Sequence, residues 1–353
     1  MKNKRHVSIL LILLVIALMV SGCGSKGQPS AVTSLTGAGA TFPYPLYSKM
    51  FDTYDASTGV RVNYNSIGSG GGIKALTDKT VDFGASDAFL TDPEALAMGA
   101  PVLHIPTCVG AVVLSYNLDG APALKLDSTV LAGIFLGKVV KWNDPSIVAL
   151  NPGLSLPDVA ITVVHRSDGS GTTSIFTTYL VAVSPSWKST VGAGKSVSWP
   201  IGIGGKGNDG VAAMISQTKG SIGYIELVYA VQSSMPFASL KNASGTFVTP
   251  SLASSAAAAA VSLPDDLRIV IVNSPGTDAY PISAFTWILV YKEQNYASRT
   301  LAQAQALKKL LTWILTNGQS INEGLSYAKL PAPAVTKALV LVNSMTYSGT
   351  SIP

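Results

Sequence analysis

The stretch Ile161-Thr162-Val163-Val164-His165-Arg166-Ser167-Asp168-Gly169-Ser170-Gly171-Thr172-Thr173 sets the fold class. A short β-branched run over residues 161–164 reads as a strand, and the apolar residues 175–183 that follow read as a helix. Between them lies a loop of glycines and hydroxyls ending in Thr172 and Thr173. A strand that feeds such a loop and then a helix is the repeating unit of an α/β protein. The loop also has a chemical meaning. The first backbone N–H groups of a helix lack partners, and the helix dipole adds positive potential there. Glycine lets an anion approach the backbone, and Ser or Thr adds a donor, so a tetrahedral oxyanion can be held with few formal charges.

The design recurs twice. Gly37-Ala38-Gly39-Ala40-Thr41-Phe42 stands ahead of a helical pattern that starts at Pro43. Gly68-Ser69-Gly70-Gly71-Gly72 stands ahead of Ile73-Lys74-Ala75-Leu76. Each alone is what an ordinary helix cap looks like; three in one chain point to an oxyanion site without fixing which oxyanion. Asp87, in Ala85-Ser86-Asp87-Ala88, follows one apolar strand, and Arg166 ends another. An Arg beside a donor-rich loop suits an anion clamp, although either charge also reads as a plain surface or capping residue.

Strand patterns further cover residues 60–64, 81–85, 111–116 and 286–291. Leu46, Tyr47, Met50, Phe51 and Tyr54 fall on one face of a helix over residues 43–54. Leu307, Leu310, Leu311, Ile314 and Leu315 form the stripe of another over 299–316, with Asn317-Gly318 as its left-handed stop. The Ala-rich tract 253–261 reads as a surface helix. At 353 residues the chain exceeds what one core usually serves, which predicts two α/β lobes. Crossovers near Tyr116-Asn117 and residues 278–283 make one lobe discontinuous: 34–116 with 281–353, against 117–280.

Residues 1–22 read as a lipoprotein signal peptide. Lys2, Lys4 and Arg5 precede 12 unbroken apolar residues, 9–20, too few for a membrane span. The sequence Val20-Ser21-Gly22-Cys23 resembles the bacterial lipobox, so Cys23 is the expected lipidation site and 23–33 a lipidated tether. With Cys23 acylated, Cys108 has no partner and reads as a small buried hydrophobe. Without the three leader cations the chain has 21 basic against 19 acidic residues, a net of +2, which leaves no electrostatic footprint for nucleic acid.

Several chemistries lack their residues. His104 and His165 are the only histidines after His6, and no Cys/His/Asp cluster has metal-ligand spacing. No Ser has Gly on both sides at the nucleophile-elbow spacing. Gly194-Lys195-Ser196 resembles the end of a phosphate-binding P-loop, but Ser189 stands where that motif needs Gly.

Five stretches together resemble the substrate-binding protein of Pst-type phosphate ABC transporters. They are Leu35-Thr36-Gly37-Ala38-Gly39-Ala40-Thr41-Phe42-Pro43, Val81-Asp82-Phe83-Gly84-Ala85-Ser86-Asp87, and Arg166-Ser167-Asp168-Gly169-Ser170-Gly171-Thr172. The others are Trp199-Pro200-Ile201-Gly202-Ile203-Gly204-Gly205-Lys206-Gly207-Asn208-Asp209-Gly210 and Gly220-Ser221-Ile222-Gly223-Tyr224. The resemblance runs in order along the chain beyond the leader. It implies a two-lobed periplasmic-binding-protein fold of type II, each lobe a mixed sheet flanked by helices, with a hinge and a ligand cleft between the lobes. It implies inorganic phosphate as ligand, held by Thr41, Phe42 through its backbone, Ser69, Asp87, Arg166, Ser170, Gly171 and Thr172. Asp168 would steady the Arg166 guanidinium.

No cofactor, metal or catalytic residue is implied. Implied partners are permease subunits and, through Cys23, the outer face of the cell membrane; the protein would be a monomer. Gly70, Phe89 and His165 depart from the family pattern, where Ser, Pro and Arg are common. The rival readings are a receptor for sulfate or molybdate, a phosphate-ester hydrolase, and an adhesin or sensing partner.

Overall fold

The structure is a computed structural model that describes residues 32–119 and 123–353. The leader, Cys23 and the tether up to residue 31 lie outside the described residues.

The chain is α/β. Its strands are β1 (Ser34–Gly39), β2 (Arg61–Ser66), β3 (Phe83–Ser86), β4 (Val102–Tyr116), β5 (Lys125–Leu126), β6 (Thr162–Arg166), β7 (Ile203–Gly205), β8 (Ser221–Glu226), β9 (Ser239–Lys241), β10 (Phe247–Val248) and β11 (Ser283–Tyr291), with a short terminal hairpin of β12 (Thr346–Tyr347) and β13 (Thr350–Ser351). Eight of them form one mixed sheet in the order β2-β1-β3-β11-β4-β8-β6-β7, while β10, β9 and β5 form a small second sheet. Pairing is parallel within β2-β1-β3 and within β8-β6-β7. Between those groups β11 and β4 run antiparallel to their neighbours.

Strand β4 serves both groups. Val102 to Ala111 pair along β11, and Val112 to Tyr116 pair along β8. Only residues 111–116 of this strand have a clean strand signal in the sequence. Pro106 breaks the signal, because it has no N–H for the ladder. The sheet absorbs it in a register shift at Thr286/Trp287, where Cys108 pairs with Thr286 and Pro106 with Trp287. Thr107, the extra residue, turns its hydroxyl to the Tyr47 OH at 2.9 Å.

The helix Tyr44–Thr58 buries the five side chains its periodicity singles out, Leu46, Tyr47, Met50, Phe51 and Tyr54. Tyr47 and Phe51 pack on Tyr64 and Phe83 from β2 and β3, with ring centroids 5.3 to 6.0 Å apart. Each such burial is worth roughly 1.5–3 kcal/mol, which seats the helix on the sheet and fixes where its N-terminus points. The helix Leu301–Leu315 likewise buries its expected stripe.

Three expectations need correction. Asn317-Gly318 is not a left-handed stop; the helix tightens there into a 3₁₀ turn, Asn317–Ile321, with Gly318 against the Trp313 ring. The Ala-rich helix, Leu252–Ala258, does not lie freely on the surface, since Ser254, Ser255 and Ala258 are buried. The run 68–72 is not a loop before a helix but the first turns of the helix Gly68–Thr77. Packing overrides its poor helix propensity: a Cβ on Gly72 would lie 2.4 Å from the Gly39 Cα. Cys108 is free, and it is buried as its apolar context predicts. Among the described residues, no helix is long and apolar enough to cross a membrane.

Candidate functional site

Four strands end at the same place and four helices start there. Strand β1 leads through Ala40 to Pro43 into the helix Tyr44–Thr58, and β2 leads into Gly68–Thr77. Strand β6 leads into Gly171–Val183, and β7 into Gly207–Gln217. In open α/β sheets, ligands bind beyond the carboxyl ends of parallel strands, where such helix starts gather. The helix starts carry Thr41, Ser69, Ser170, Gly171, Thr172 and Asn208. Asp87 follows β3 directly, and Arg166 is the last residue of β6. The structure therefore brings together all eight residues named from the sequence, although they span positions 41 to 172.

All are buried. Phe42 packs its ring so tightly on Gly110 that a Cβ there would lie 2.5 Å away, and its carbonyl accepts from the Tyr327 OH at 2.6 Å. Only its backbone N–H remains to face a ligand. Ser170 caps its helix by accepting from the Thr173 N–H at 3.0 Å, which leaves its O–H to donate elsewhere.

The two sides touch directly. The Gly70 N–H donates to the Gly169 carbonyl at 2.8 Å, and the Gly171 N–H donates to Ser69 Oγ at 3.0 Å. Gly171 has no room for a side chain, since a Cβ would lie 2.5 Å from both Asp87 Oδ2 and Ser69 Oγ. Lys195 and Glu94 add an ion pair at 2.8 Å between the same two sides.

Arg166 is held by a fork. Its Nε donates to Asp168 Oδ1 at 2.7 Å and its Nη2 to Asp168 Oδ2 at 2.5 Å. Two parallel charge-assisted bonds fix the guanidinium plane. The third nitrogen, Nη1, is directed to Thr172 Oγ1 at 3.3 Å. Burial works to raise the Asp168 carboxyl, but the bonds and charge of Arg166 and the Gly207 N–H outweigh it and hold the group below its ordinary value.

Asp87 is the acceptor among these donors. Its Oδ1 accepts from the Thr286 hydroxyl at 2.7 Å, and its Oδ2 accepts from Ser69 at 3.4 Å. Burial pushes its pKa up to about 7, against the opposing pull of Thr286, Arg166 and Ser69. With Arg166 balanced by Asp168, the site has no excess positive charge. An anion placed here would meet oriented N–H and O–H dipoles, and a proton on that anion would meet the Asp87 carboxylate.

Two residues escaped the sequence reading. Asn208 lies in Gly205-Lys206-Gly207-Asn208-Asp209-Gly210, a fourth small-residue run before a helix, so the same design would have found it. Thr286 gave no signal; it reaches Asp87 only because β11 pairs with β3. The two histidines are structural. His104 accepts from the Leu90 N–H at 3.1 Å, and His165 stacks on Trp199. Among the described residues, no group of acidic, His or Cys side chains is placed to hold a metal ion.

Residues 24–317 match the family model described as the PBP superfamily domain. Over 311 residues the chain is 46% identical to the phosphate-binding protein PstS of Xylella fastidiosa, which covers 87% of this chain and 84% of that protein. The PstS of Pasteurella multocida is 47% identical over 312 residues, covering 86% and 88%. This chain belongs to the PstS family. A PstS from Methanocaldococcus jannaschii, 38% identical over 364 residues, covers 94% of the chain and 93% of its own length. These PstS relatives are named as binding proteins rather than enzymes.

Among solved structures, a high-affinity periplasmic phosphate-binding protein with phosphate bound superposes with a TM-score of 0.73 at 24% identity, covering 90% of this chain and 96% of that one. A phosphate-binding protein from Stenotrophomonas maltophilia gives 0.69 at 20%, covering 91% and 100%. At such identities the likeness is one of fold, and it gives this PstS-family chain the two-lobed periplasmic-binding-protein architecture.

Proposed function

We propose that this protein captures inorganic phosphate between two lobes, 34–116 with 281–353 and 117–280, and delivers it to the permease of an ABC transporter. The observation that carries the reading is the gathering of four helix starts, Arg166 and one acceptor, Asp87, in a single buried site. Thr41, the Phe42 N–H and Ser69 approach phosphate from one side, and Arg166, Ser170, Gly171 and Thr172 from the other. Bridging both sets, phosphate makes contacts available only when the sides meet, so it favours the closed arrangement by its differential binding.

Asp87 separates phosphate from sulfate. A carboxylate facing an anion is unfavourable unless it accepts a hydrogen bond from it. Phosphate near neutral pH still carries a proton, whereas sulfate presents only lone pairs. The protein acts extracytoplasmically as a monomer, anchored by lipid on Cys23, and turns over no substrate of its own. Calorimetry of the purified protein with phosphate, sulfate and arsenate tests the reading. Tight binding of phosphate and arsenate without sulfate is expected, and absence of phosphate binding would refute it. Turnover of a chromogenic phosphate ester would instead support a hydrolase.

A further inference from the structure

We infer that Asn208 is a positioning residue that makes the hydroxyls of Thr41 and Thr172 obligate donors toward the bound anion. The inference rests on the phosphate reading above and concerns how its site is poised. Asn208 is fully buried at the start of the helix Gly207–Gln217. Its side-chain oxygen faces the Glu226 N–H at 2.9 Å. That backbone group can only donate, so the amide has one orientation, with its NH₂ on the opposite side. The two hydrogens of this NH₂ go to two hydroxyls, Thr41 Oγ1 at 2.8 Å and Thr172 Oγ1 at 3.1 Å.

A hydroxyl has two acceptor lone pairs and one proton. Thr41 Oγ1 also accepts from the Asn208 backbone N–H at 3.2 Å, which fills its second lone pair. Thr172 Oγ1 also accepts from Arg166 Nη1 at 3.3 Å, which fills its own. Each hydroxyl is then left with only its O–H to offer. Thr41 comes from the loop after β1 and Thr172 from the first turn of the helix that follows β6, so one buried amide sets the polarity of both sides at once. An unaided hydroxyl rotates and accepts as readily as it donates. Here that freedom is removed before the anion arrives, and Asp87 is left as the acceptor for a phosphate proton.

Asn208→Ala frees one lone pair on each threonine. At pH 8 phosphate affinity is expected to fall about 30-fold, the equivalent of two ordinary hydrogen bonds. At pH 5.5, where dihydrogen phosphate dominates, the freed lone pairs accept its second proton and the loss should shrink to about fivefold or less. The titratable and charged groups facing the cluster are Asp87, Arg166, Asp168, Asp209, Glu226 and Tyr229. All remain in the variant, so their titration is common to both proteins.

A second arm combines Asn208→Ala with Thr41→Val. Because Asn208 acts through that hydroxyl, the combined loss should be at least about threefold smaller than the product of the single losses. Asn208→Leu, which keeps the volume, replaces Asn208→Ala if the latter fails to melt cooperatively. A loss under threefold at pH 8, equal losses at both pH values, or full additivity with Thr41→Val would overturn the inference while leaving phosphate binding intact. A parent protein that binds no phosphate would overturn the functional reading as well.

Discussion

Asp87 holds a charge where burial opposes it, so replacing it should stabilise the ligand-free protein, and only above a definite pH. An unfolded Asp titrates near 3.8, and in the fold burial pushes this group up to about 7. The folded state therefore binds the proton more tightly than the unfolded state. Stability contributed by the neutral form is complete below about pH 4 and is lost as pH rises toward 7. At 1.36 kcal/mol per pH unit the span is worth about 4 kcal/mol at pH 8 and about 2 kcal/mol at pH 5. Asp87→Asn keeps the size, and its amide oxygen still accepts from Thr286, so besides the charge it removes only the long 3.4 Å bond from Ser69. Urea denaturation of the ligand-free parent and variant at pH 4, 5 and 8 measures the difference directly. The variant should gain about 2–4 kcal/mol over the parent at pH 8, with the gain fading toward zero at pH 4. All other titrating groups are shared and cancel. A difference that stays within about 1 kcal/mol across that range would show that Asp87 is not held at the expense of stability.

Three further outcomes follow from the same geometry. In competition binding over pH 5–8, Asp87→Asn should retain measurable phosphate affinity while admitting sulfate; a variant that still excludes sulfate as fully as the parent would place selectivity elsewhere. Arg166→Ala removes a charge-assisted donor worth roughly 1.5–3 kcal/mol and leaves Asp168 without its cation, so calorimetry should show phosphate binding weakened at least tenfold. Cys23→Ser should release the protein from membranes or leave the leader uncleaved, and unchanged mass and membrane association would refute the lipid anchor.

The sequence displayed its elements wherever one face had a simple job. The stripe of the helix Tyr44–Thr58 is legible because it packs on one sheet face, so its apolar spacing is uninterrupted. Donor-rich helix starts are legible because caps and anion sites draw on the same few residues. The first part of β4 is not, since Pro106 reads as an interruption and only the register shift opposite β11 makes room for it. Residues 68–72 read as a loop because propensity says so, yet Gly72 against the Gly39 backbone and Gly68 and Gly70 against Gly169 are packed too closely for larger side chains, and the segment coils. Thr286 reaches Asp87 across 199 positions of chain, a meeting no local pattern encodes.

The Arg166–Asp168 fork has a consequence for the waters in which such a receptor works. Attraction between a net-charged cleft and an ion reaches about 8–10 Å through physiological salt and much less through brine. Here the cation is neutralised by its own neighbour before any ligand appears, so little long-range field reaches out to gather phosphate, and encounter proceeds by ordinary diffusion. The compensation is indifference to salinity. Recognition begins only at contact, through dipoles that dissolved ions do not screen once water is excluded. The same chain should therefore scavenge its nutrient as well from a salt marsh as from a dilute stream.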